Sequence, residues 1–270
     1  MAEAMIGAVI RSNIFAPEHI FASDVIQERL DMLSDVYKIS TINDNFKLFL
    51  TCDIIIVAVK PQQISHVLAA ISEQIDHHLL KRKLFISIAA GYPIKKIEDV
   101  LYQSLEVYSR KMMPIIRVMP NTPALVLAGM CGMAANQYAN KEDITIARTI
   151  LEATGKVIEF SEDKLDAVTA LSGSGPAYVF YLAEAMIEGG VQAGLDTDEA
   201  YVLTIETLKG AAALLDNQNE SPELLRKKVT SPGGTTEAAI KVLDDGRVKH
   251  NIVDAISAAA QRSKELADES

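Results

Sequence analysis

The sequence predicts an α/β fold with a doubly wound sheet, followed by an all-α domain. Short apolar runs alternate with helical patterns through the first part of the chain, whereas no convincing strand pattern occurs from Glu162 to Leu266. The composition is that of a globular protein, with 49% apolar and 23% charged residues in a chain of 270. These observations divide the chain near Ser161 into domains 1–160 and 161–270.

The strands and helices of the first domain are predicted from its apolar runs and its helix signals. The clearest strand is DIIIVAV (53–59), because an almost wholly apolar run suits a parallel strand buried on both faces. Pro61 then favours the first turn of a helix through its fixed φ. The other predicted strands are 20–23, a weak one at 37–40, 83–90, 115–120, 125–135 and 156–160, and the other predicted helices are 2–13, 24–37, 44–52, 93–107 and 141–153.

The second domain is predicted to consist of helices at 162–194, 197–216, 222–230, 235–244 and 248–267. Stretches rich in Ala and Gly in these helices permit close helix contact. A domain of this size is also small to bury a core by itself. An obligate dimer interface and packing within one chain explain this composition equally well.

Charge and composition exclude several classes of function. The formal net charge of −10 makes nucleic acid and anionic membranes unfavourable partners. No apolar run reaches the ~18 residues of a membrane span, and the first residues do not resemble a secretory signal. Cys52 and Cys131 show neither metal nor disulfide spacing. The histidines form no metal-ligand pattern either; they are His19, His66, His77, His78 and His250. We therefore expect no metal site and a reducing, cytoplasmic location.

Three segments of small or polar residues follow predicted strands: AVKPQ (58–62), SIAAG (87–91) and RVMPNTPA (117–124). Ligands of open α/β sheets bind outside the carboxyl ends of the strands, so each segment is a candidate contact. A Lys-Pro pair ends the first strand sharply, and small residues in the second segment admit a flat ligand. Asn121 in the third can hydrogen-bond an amide or position a ring. Ordinary turns and tight packing are the alternatives.

Two further segments lie in the helical domain. ALSGSGPAYVF (170–180) places Gly and Pro inside a predicted helix, at a cost of about 1 kcal/mol per Gly and about 3 kcal/mol for Pro. This suggests a kink with close backbone approach, although packing explains it too. VTSPGGTTEAA (229–239) opens a helix with free N–H groups and several hydroxyls, which suit a small anion such as a carboxylate. A plain N-cap by Thr235 or Thr236, with Glu237 nearby, is the alternative, but a simple cap needs fewer special residues.

The order and spacing of these five segments resemble pyrroline-5-carboxylate reductase, over essentially all 270 residues. The last two segments are specific to that family, and the first two occur more widely in related folds. The resemblance implies a Rossmann-type domain and a helical domain that interlocks with a second subunit in a homo-oligomer. It also implies NADPH- or NADH-dependent hydride transfer to the imine of pyrroline-5-carboxylate, giving L-proline, mostly by positioning the ring against the nicotinamide.

The resemblance also assigns site residues by position. It implies that the loop 231–236 holds the substrate carboxylate; the predicted contacts are Ser231, Gly233, Gly234, Thr235 and Thr236. Thr236 is further predicted to hydrogen-bond the ring nitrogen or relay a proton, and Asn121 lies in the segment beside the nicotinamide, so these two are the predicted catalytic residues. The predicted cofactor contacts are Met1, Ser23, Asp24, Asn45, Ala58, Val59, Lys60, Pro61, Ile88, Ala89, Ala90 and Glu162.

The first residues depart from the family pattern. Family members open with a buried strand and a turn of the type G-x-G-x-[ML]-A, whereas residues 1–4 match only the end of that turn. We therefore expect the sheet to lack this strand, its neighbours to lose backbone partners, and dinucleotide to bind weakly. A start assigned at an internal Met and a natural truncation both explain the departure. The first is favoured because no later motif has decayed.

Asp24 follows the strand pattern 20–23, where this fold places the residue that reads the ribose. A carboxylate accepts from a 2′-hydroxyl and repels a 2′-phosphate, and the next arginine is Arg29. We expect the chain to tolerate NADH and to lean towards it, although the family often uses NADPH. A helix-cap role for Asp24 is compatible with this.

Two alternatives to a proline-forming reductase remain at this stage. One is a reductase of a related small imine or hydroxy acid, because the loop 231–236 does not fix the ring size. The other is a catalytically impaired or inactive dimeric paralogue. Activity with pyrroline-5-carboxylate separates these alternatives.

Overall fold

The computed structural model describes residues 1–75, 81–103, 105–218 and 220–269. Contacts divide the chain into two compact units: Met1–Ser174 with the chain from Ala259 onward, and Gly175–Ala258. This division falls later than the boundary predicted near Ser161. The reason is that Leu165 is buried in the core of the first unit, and Asp166 accepts a hydrogen bond from Ser263 at 2.7 Å.

The first unit contains the strands and eight of the helices found in the described residues. The strands are β1 Phe21–Ala22, β2 Ser40–Thr41, β3 Ile54–Val57, β4 Leu84–Ser87, β5 Ile115–Met119, β6 Gly129–Ala135 and β7 Gly155–Glu159. The helices are α1 Ala2–Arg11, α2 Gln27–Tyr37, α3 Asn45–Thr51, α4 Pro61–Ser72, α5 Ile94–Leu101, α6 Val107–Arg110, α7 Lys141–Glu152 and α8 Leu165–Val168. Most predicted elements of this domain are therefore confirmed in type and order.

The strands form two separate sheets. β3 to β7 make a five-stranded sheet in sequence order, in which only the β5–β6 pair is antiparallel. β1 and β2 pair in parallel by themselves. Among the described residues, no strand pairs with both β1 and β3.

Helices cover both faces of the five-stranded sheet, which confirms the doubly wound class. Successive strand side chains point to opposite faces, so Phe85 and Ile86 of β4 enter different apolar clusters. The Phe85 cluster includes Ile64 of α4 and Ile97 of α5. The other includes residues of α1 and α7, among them Met5 and Ile150.

Several predicted elements differ from the observed ones in extent. The helix predicted at 93–107 ends at Leu101. The strand predicted at 125–135 begins only at Gly129, because Thr122–Val126 form a 3₁₀ turn and Leu127 has a φ of 60°. The run LVL is apolar, but in the structure it is an exposed turn. The helix predicted at 162–194 is interrupted by a π-helical turn at Thr169–Gly173, where its small residues lie.

The second unit is all-helical, as predicted. Its helices are α9 Gly175–Gln192, α10 Thr197–Asn217, α11 Pro222–Lys228, α12 Thr235–Asp245 and the first part of α13 Val248–Glu269. No residue of α9 or α12 is buried, and Phe180 is 62% exposed. In the described ranges, none of the helices is long and apolar enough to cross a membrane.

Candidate functional site

The segments predicted to contact the cofactor after β3 and β4 lie side by side in the first unit. β3 and β4 are parallel and in register, with Val57 opposite Ser87, so they end at one edge of the sheet. The Ile88 amide donates to the Val57 carbonyl at 3.1 Å, which joins the two strand ends. Ala58, Val59 and Lys60 thus leave the sheet beside Ile88, Ala89 and Ala90.

The loop after β4 is compact. The Ala89 amide donates to the Ser87 hydroxyl at 3.4 Å, and Ala89 is buried. Gly91 ends the loop with a φ of +67°, and a Cβ built there would lie 3.1 Å from the Cβ of Leu266 in α13. The turn therefore requires glycine both for its backbone conformation and for its contact with the last helix.

The Lys-Pro pair begins α4 as predicted, although β3 already ends at Val57, three residues before Lys60. Lys60 is exposed and extended, with φ −63° and ψ 147°, and is the N-cap of α4. Pro61 is the first residue of that helix, where its missing N–H costs nothing. α4 consequently begins at the carboxyl edge of β3, and its N-terminal partial positive charge lies at this edge.

A second group of predicted contacts follows the β1–β2 pair. The Ser23 hydroxyl donates to the Asn45 side-chain oxygen at 2.8 Å. Asn45 begins α3, which Asp44 caps by accepting from the amides of Phe46 and Lys47 at 2.9 and 3.0 Å. The structure thus brings Ser23 and Asn45 together at the ends of two neighbouring elements.

Asp24 has one carboxylate oxygen engaged in a turn. Its Oδ1 accepts from the Ile26 amide at 3.0 Å, just before α2. No other hydrogen bond to this carboxylate is found in the described parts of the chain. The helix-cap role considered for Asp24 is wrong, because Ile26 is the N-cap of α2 and no side chain caps that helix. Asp24 instead forms the turn before the helix, and its second oxygen remains available.

The other end of α3 is held by a buried lysine. Lys83 donates to the carbonyls of Cys52 at 2.7 Å and Leu50 at 3.2 Å. Its ammonium also lies 5.1 Å from the ring centroid of Phe49. Burial lowers the pKa of Lys83. Capped at both ends, α3 presents Asn45 at a fixed position.

Met1 precedes α1 and is partly exposed; its carbonyl accepts from the Met5 amide at 3.1 Å. The amides of Ala2, Glu3 and Ala4 belong to the first turn, which has no partner within its own helix. They have no acceptor among the described residues. Such a helix N-terminus suits a phosphate group.

Glu162 ties two elements near this edge together. One of its carboxylate oxygens accepts from the Ile94 amide at 2.7 Å and from the Arg117 guanidinium at 3.1 Å. The Arg117 side chain is only 6% exposed. Arg117 was not predicted from the sequence. The signal that could have identified it is a charged residue within the otherwise apolar strand IIRVM.

The side chain of Asn121 is fully engaged within the first unit. Its nitrogen donates to the carbonyl and hydroxyl oxygens of Ser172, both at 3.3 Å, and its oxygen accepts from the Met130 amide at 2.8 Å. Ser172 lies in the π-helical turn. A Cβ on Gly173 of that turn would meet the terminal methyl of the Met119 side chain. Asn121 therefore fastens the turn after β5 to the π-helical turn.

The loop 231–236 opens α12 in the second unit. Gly233 has a φ of +71°, and its amide donates to the Glu237 carboxylate at 2.8 Å. The Gly234 amide donates to the Ser231 carbonyl at 3.0 Å, which closes the turn. Gly234 itself is the N-cap, without a side-chain cap, so the capping role considered for Thr235 and Thr236 is wrong.

The first amides of α12 consequently have no acceptor. These are the amides of Thr235, Thr236 and Glu237, for which the described residues provide no partner. The Thr236 side chain is half-buried beside them. A short row of unpaired N–H groups next to a hydroxyl is an anion-binding arrangement.

No metal-binding cluster was found in the described ranges. Groups of three or more His, Cys, Asp or Glu side chains suited to a metal ion are absent there. His77 and His78 lie outside the described residues. Cys52 and Cys131 are free thiols, and burial raises the pKa of each.

Comparison with known proteins gives a consistent result. Residues 162–266 match the family described as "Pyrroline-5-carboxylate reductase dimerisation", and residues 1–91 match "NADP oxidoreductase coenzyme F420-dependent". The chain is 38% identical over 270 residues to pyrroline-5-carboxylate reductase 2 of Bacillus subtilis (strain 168), covering 100% of this chain and 92% of the relative. The chain belongs to the pyrroline-5-carboxylate reductase family. The Synechocystis reductase is 39% identical, with 98% of this chain and 94% of that protein covered.

Solved structures agree with this assignment. The pyrroline-5-carboxylate reductase of Coxiella burnetii superposes with a TM-score of 0.86 at 37% identity, covering 98% of this chain and 94% of that one. The Plasmodium falciparum pyrroline carboxylate reductase, solved with NADP bound, gives 0.85 at 29% identity over 98% and 93%. The predicted family and fold class are confirmed.

Proposed function

We propose that the chain reduces pyrroline-5-carboxylate to L-proline with NADPH or NADH. The observation that supports this most directly is the start of α12, where three amides have no acceptor among the described residues and the N-cap residue provides no side-chain cap. A small carboxylate is the ligand that this arrangement favours, because charged acceptors satisfy free N–H groups better than neutral ones. The membership of the family agrees with this substrate.

The loop 231–236 holds the substrate through its acid group in this proposal. The amides of Thr235, Thr236 and Glu237 donate to the carboxylate, and the positive end of the helix adds to the attraction. The bond between Glu237 and the Gly233 amide at 2.8 Å keeps the loop in shape. The Glu237 carboxylate is thereby directed to the loop backbone. We assign Ser231 and Gly234 the same supporting role, because they close the turn.

The carboxyl edge of the sheet fits a dinucleotide. The unpaired amides of α1 suit a phosphate, and Ser23 and Asn45 offer polar groups. Ala89, Ala90 and Gly91 of the compact loop are small and admit a flat ring. When bound, the reduced nicotinamide supplies the hydride. We therefore propose that Ala58–Lys60, Pro61, Ile88–Ala90 and Glu162 contact or support the cofactor, together with Met1 and Asp24.

The reaction requires little acid–base catalysis by protein side chains. The imine carbon gains a hydride and the ring nitrogen gains a proton, so one C=N double bond becomes a C–N single bond. A protonated imine is already an electrophile, and catalysis is chiefly positioning. Thr236 hydrogen-bonds the ring nitrogen through its hydroxyl. Asn121 acts by fastening the turn after β5, because its amide is already engaged.

We propose that the working form is a homo-oligomer in the cytoplasm. The dimerisation family matches residues 162–266, and α9 and α12 leave their apolar side chains exposed within the single chain. A second copy that covers them would remove this apolar surface from water. The net charge of −10 disfavours nucleic acid as a partner, and free thiols suit a reducing compartment.

The test is a comparison of two imines. Pyrroline-5-carboxylate and 1-pyrroline, which lacks the carboxylate, are assayed with NADH and NADPH, and L-proline is identified as the product. We expect kcat/KM to be higher for pyrroline-5-carboxylate by at least about 100-fold, because even one or two charge-assisted hydrogen bonds, at about 1.5–3 kcal/mol each, account for that difference. Equal rates with the two imines, or no proline with either cofactor, would contradict the proposal.

A further inference from the structure

We propose that Glu3 sets the cofactor preference by holding Arg29 away from a 2′-phosphate, so that the chain favours NADH over NADPH. The inference rests on the proposed function, because it presumes that the edge near β1 binds the adenosine half of a dinucleotide. It assigns a specificity role to two residues, Glu3 on α1 and Arg29 on α2, that the predicted contacts do not include.

The two side chains form a close ion pair. The Arg29 guanidinium lies 2.7 Å from one oxygen of the Glu3 carboxylate. The other oxygen accepts from the Tyr37 hydroxyl at 3.2 Å. Burial, followed by the neighbouring Glu3 carboxylate, raises the pKa of Tyr37, so that this hydroxyl remains a donor. Glu3 is therefore fixed on both sides.

In this proposal, Arg29 is the cation that a 2′-phosphate meets. It lies five residues after Asp24 on the helix that follows the β1 turn, and in this fold an arginine near that turn accommodates the 2′-phosphate of NADPH. In the structure its charge is already compensated by Glu3. A 2′-phosphate must compete with that carboxylate, and it also meets the available oxygen of Asp24. A 2′-hydroxyl meets neither obstacle.

The test uses two adenosine ligands and needs no turnover. Calorimetric titration of 5′-AMP and 2′,5′-ADP isolates the effect of the 2′-phosphate. Glu3→Gln retains the side-chain shape and an oxygen that can accept from Tyr37, but it no longer neutralises Arg29. The matched control is Glu28→Gln, which removes the same charge from an exposed residue one position from Arg29.

We expect wild type to bind 5′-AMP at least as tightly as 2′,5′-ADP. Glu3→Gln should raise the affinity for 2′,5′-ADP about fivefold, the size of an exposed ion pair, with 5′-AMP unchanged within about twofold. The control should leave the ratio of the two affinities unchanged. Adding Arg29→Met to Glu3→Gln should remove the gain.

Three results would overturn the inference. The first is an unchanged ratio in Glu3→Gln, and the second is a wild-type preference for 2′,5′-ADP; both leave the proposed cofactor site intact. The third is an equal gain in affinity for 2′,5′-ADP in Glu28→Gln, which would show that the change in net charge alone causes the gain. If wild type binds neither ligand, the cofactor edge itself is contradicted, and with it the proposed function.

Discussion

At the scale of single residues, a partly buried ion pair joins β5 to the segment that follows β7. Arg117 is 5% exposed on β5, and Glu162 is its charged partner at 3.1 Å. The same carboxylate oxygen holds the Ile94 amide, directly after the loop that carries the predicted cofactor contacts. Losing Glu162 leaves a buried cation without a partner, which is costly.

We expect Glu162→Ala to lower the free energy of unfolding by about 3 kcal/mol, towards the low end for a buried pair because Glu162 is partly exposed. The measurement is urea unfolding at fixed protein concentration. Glu159→Ala is the matched control, because its pair with Arg148 is 3.5 Å long and exposed, and its loss should cost less than about 1 kcal/mol. Equal losses of unfolding free energy in the two variants would show that the pair with Arg117 contributes no more to stability than an exposed pair.

Site residues could be predicted from the sequence where neighbouring residues alone determine the local structure. Ser231 to Thr236 combine hydroxyls with two glycines before a helix, and the structure shows unpaired amides there. Arg117 and the engagement of Asn121 were not predictable, because their partners lie 45 and 51 residues away in the sequence. Long-range pairing leaves no local pattern in a single sequence.

At the scale of elements, the loop 88–91 depends on the last helix of the first unit. Gly91 has a φ of +67° and lies against Leu266 of α13. Any side chain at Gly91 strains the backbone and also displaces this helix or the loop. The loop follows β4 at the edge where the cofactor contacts are predicted, so a displacement should reach those contacts.

We expect Gly91→Ala to weaken NADH binding about tenfold and to lower stability by about 1–3 kcal/mol, the cost of a strained backbone. The matched control is Gly194→Ala, since Gly194 has a φ of +107° but nothing within 4 Å of its built Cβ. It should lose stability and keep its NADH affinity, measured by cofactor fluorescence. Equal weakening in both variants would mean that the loop contact does not matter.

Element type was predictable because the periodic patterns are strong, and element ends were less so. DIIIVAV and the helix at Pro61 are confirmed. The apolar residues of 125–128 were mistaken for strand because hydrophobicity alone does not distinguish a strand from an exposed 3₁₀ turn. The sequence indicated the π-helical turn at Thr169–Gly173 only indirectly, through glycine and proline residues that are unfavourable within a helix.

At the scale of the whole molecule, the two units differ in the groups they expose. The first has a sheet with a covered core on both faces and small residues at its carboxyl edge. The second has helices with exposed apolar side chains and one helix start with unpaired amides. In the proposed function, the first unit binds the cofactor, and the second holds the acid group of the substrate and contacts a second copy.

The most direct test of this account is the effect of Thr236→Val on kcat/KM for pyrroline-5-carboxylate. The substitution removes the hydroxyl and retains the size and shape of the side chain, and Thr235→Val controls for a change at the neighbouring position. If the loop 231–236 holds the substrate, Thr236→Val lowers kcat/KM for pyrroline-5-carboxylate by about 10- to 100-fold, the loss of one or two hydrogen bonds, and NADH affinity stays unchanged. Unchanged kcat/KM for pyrroline-5-carboxylate in Thr236→Val would contradict the account.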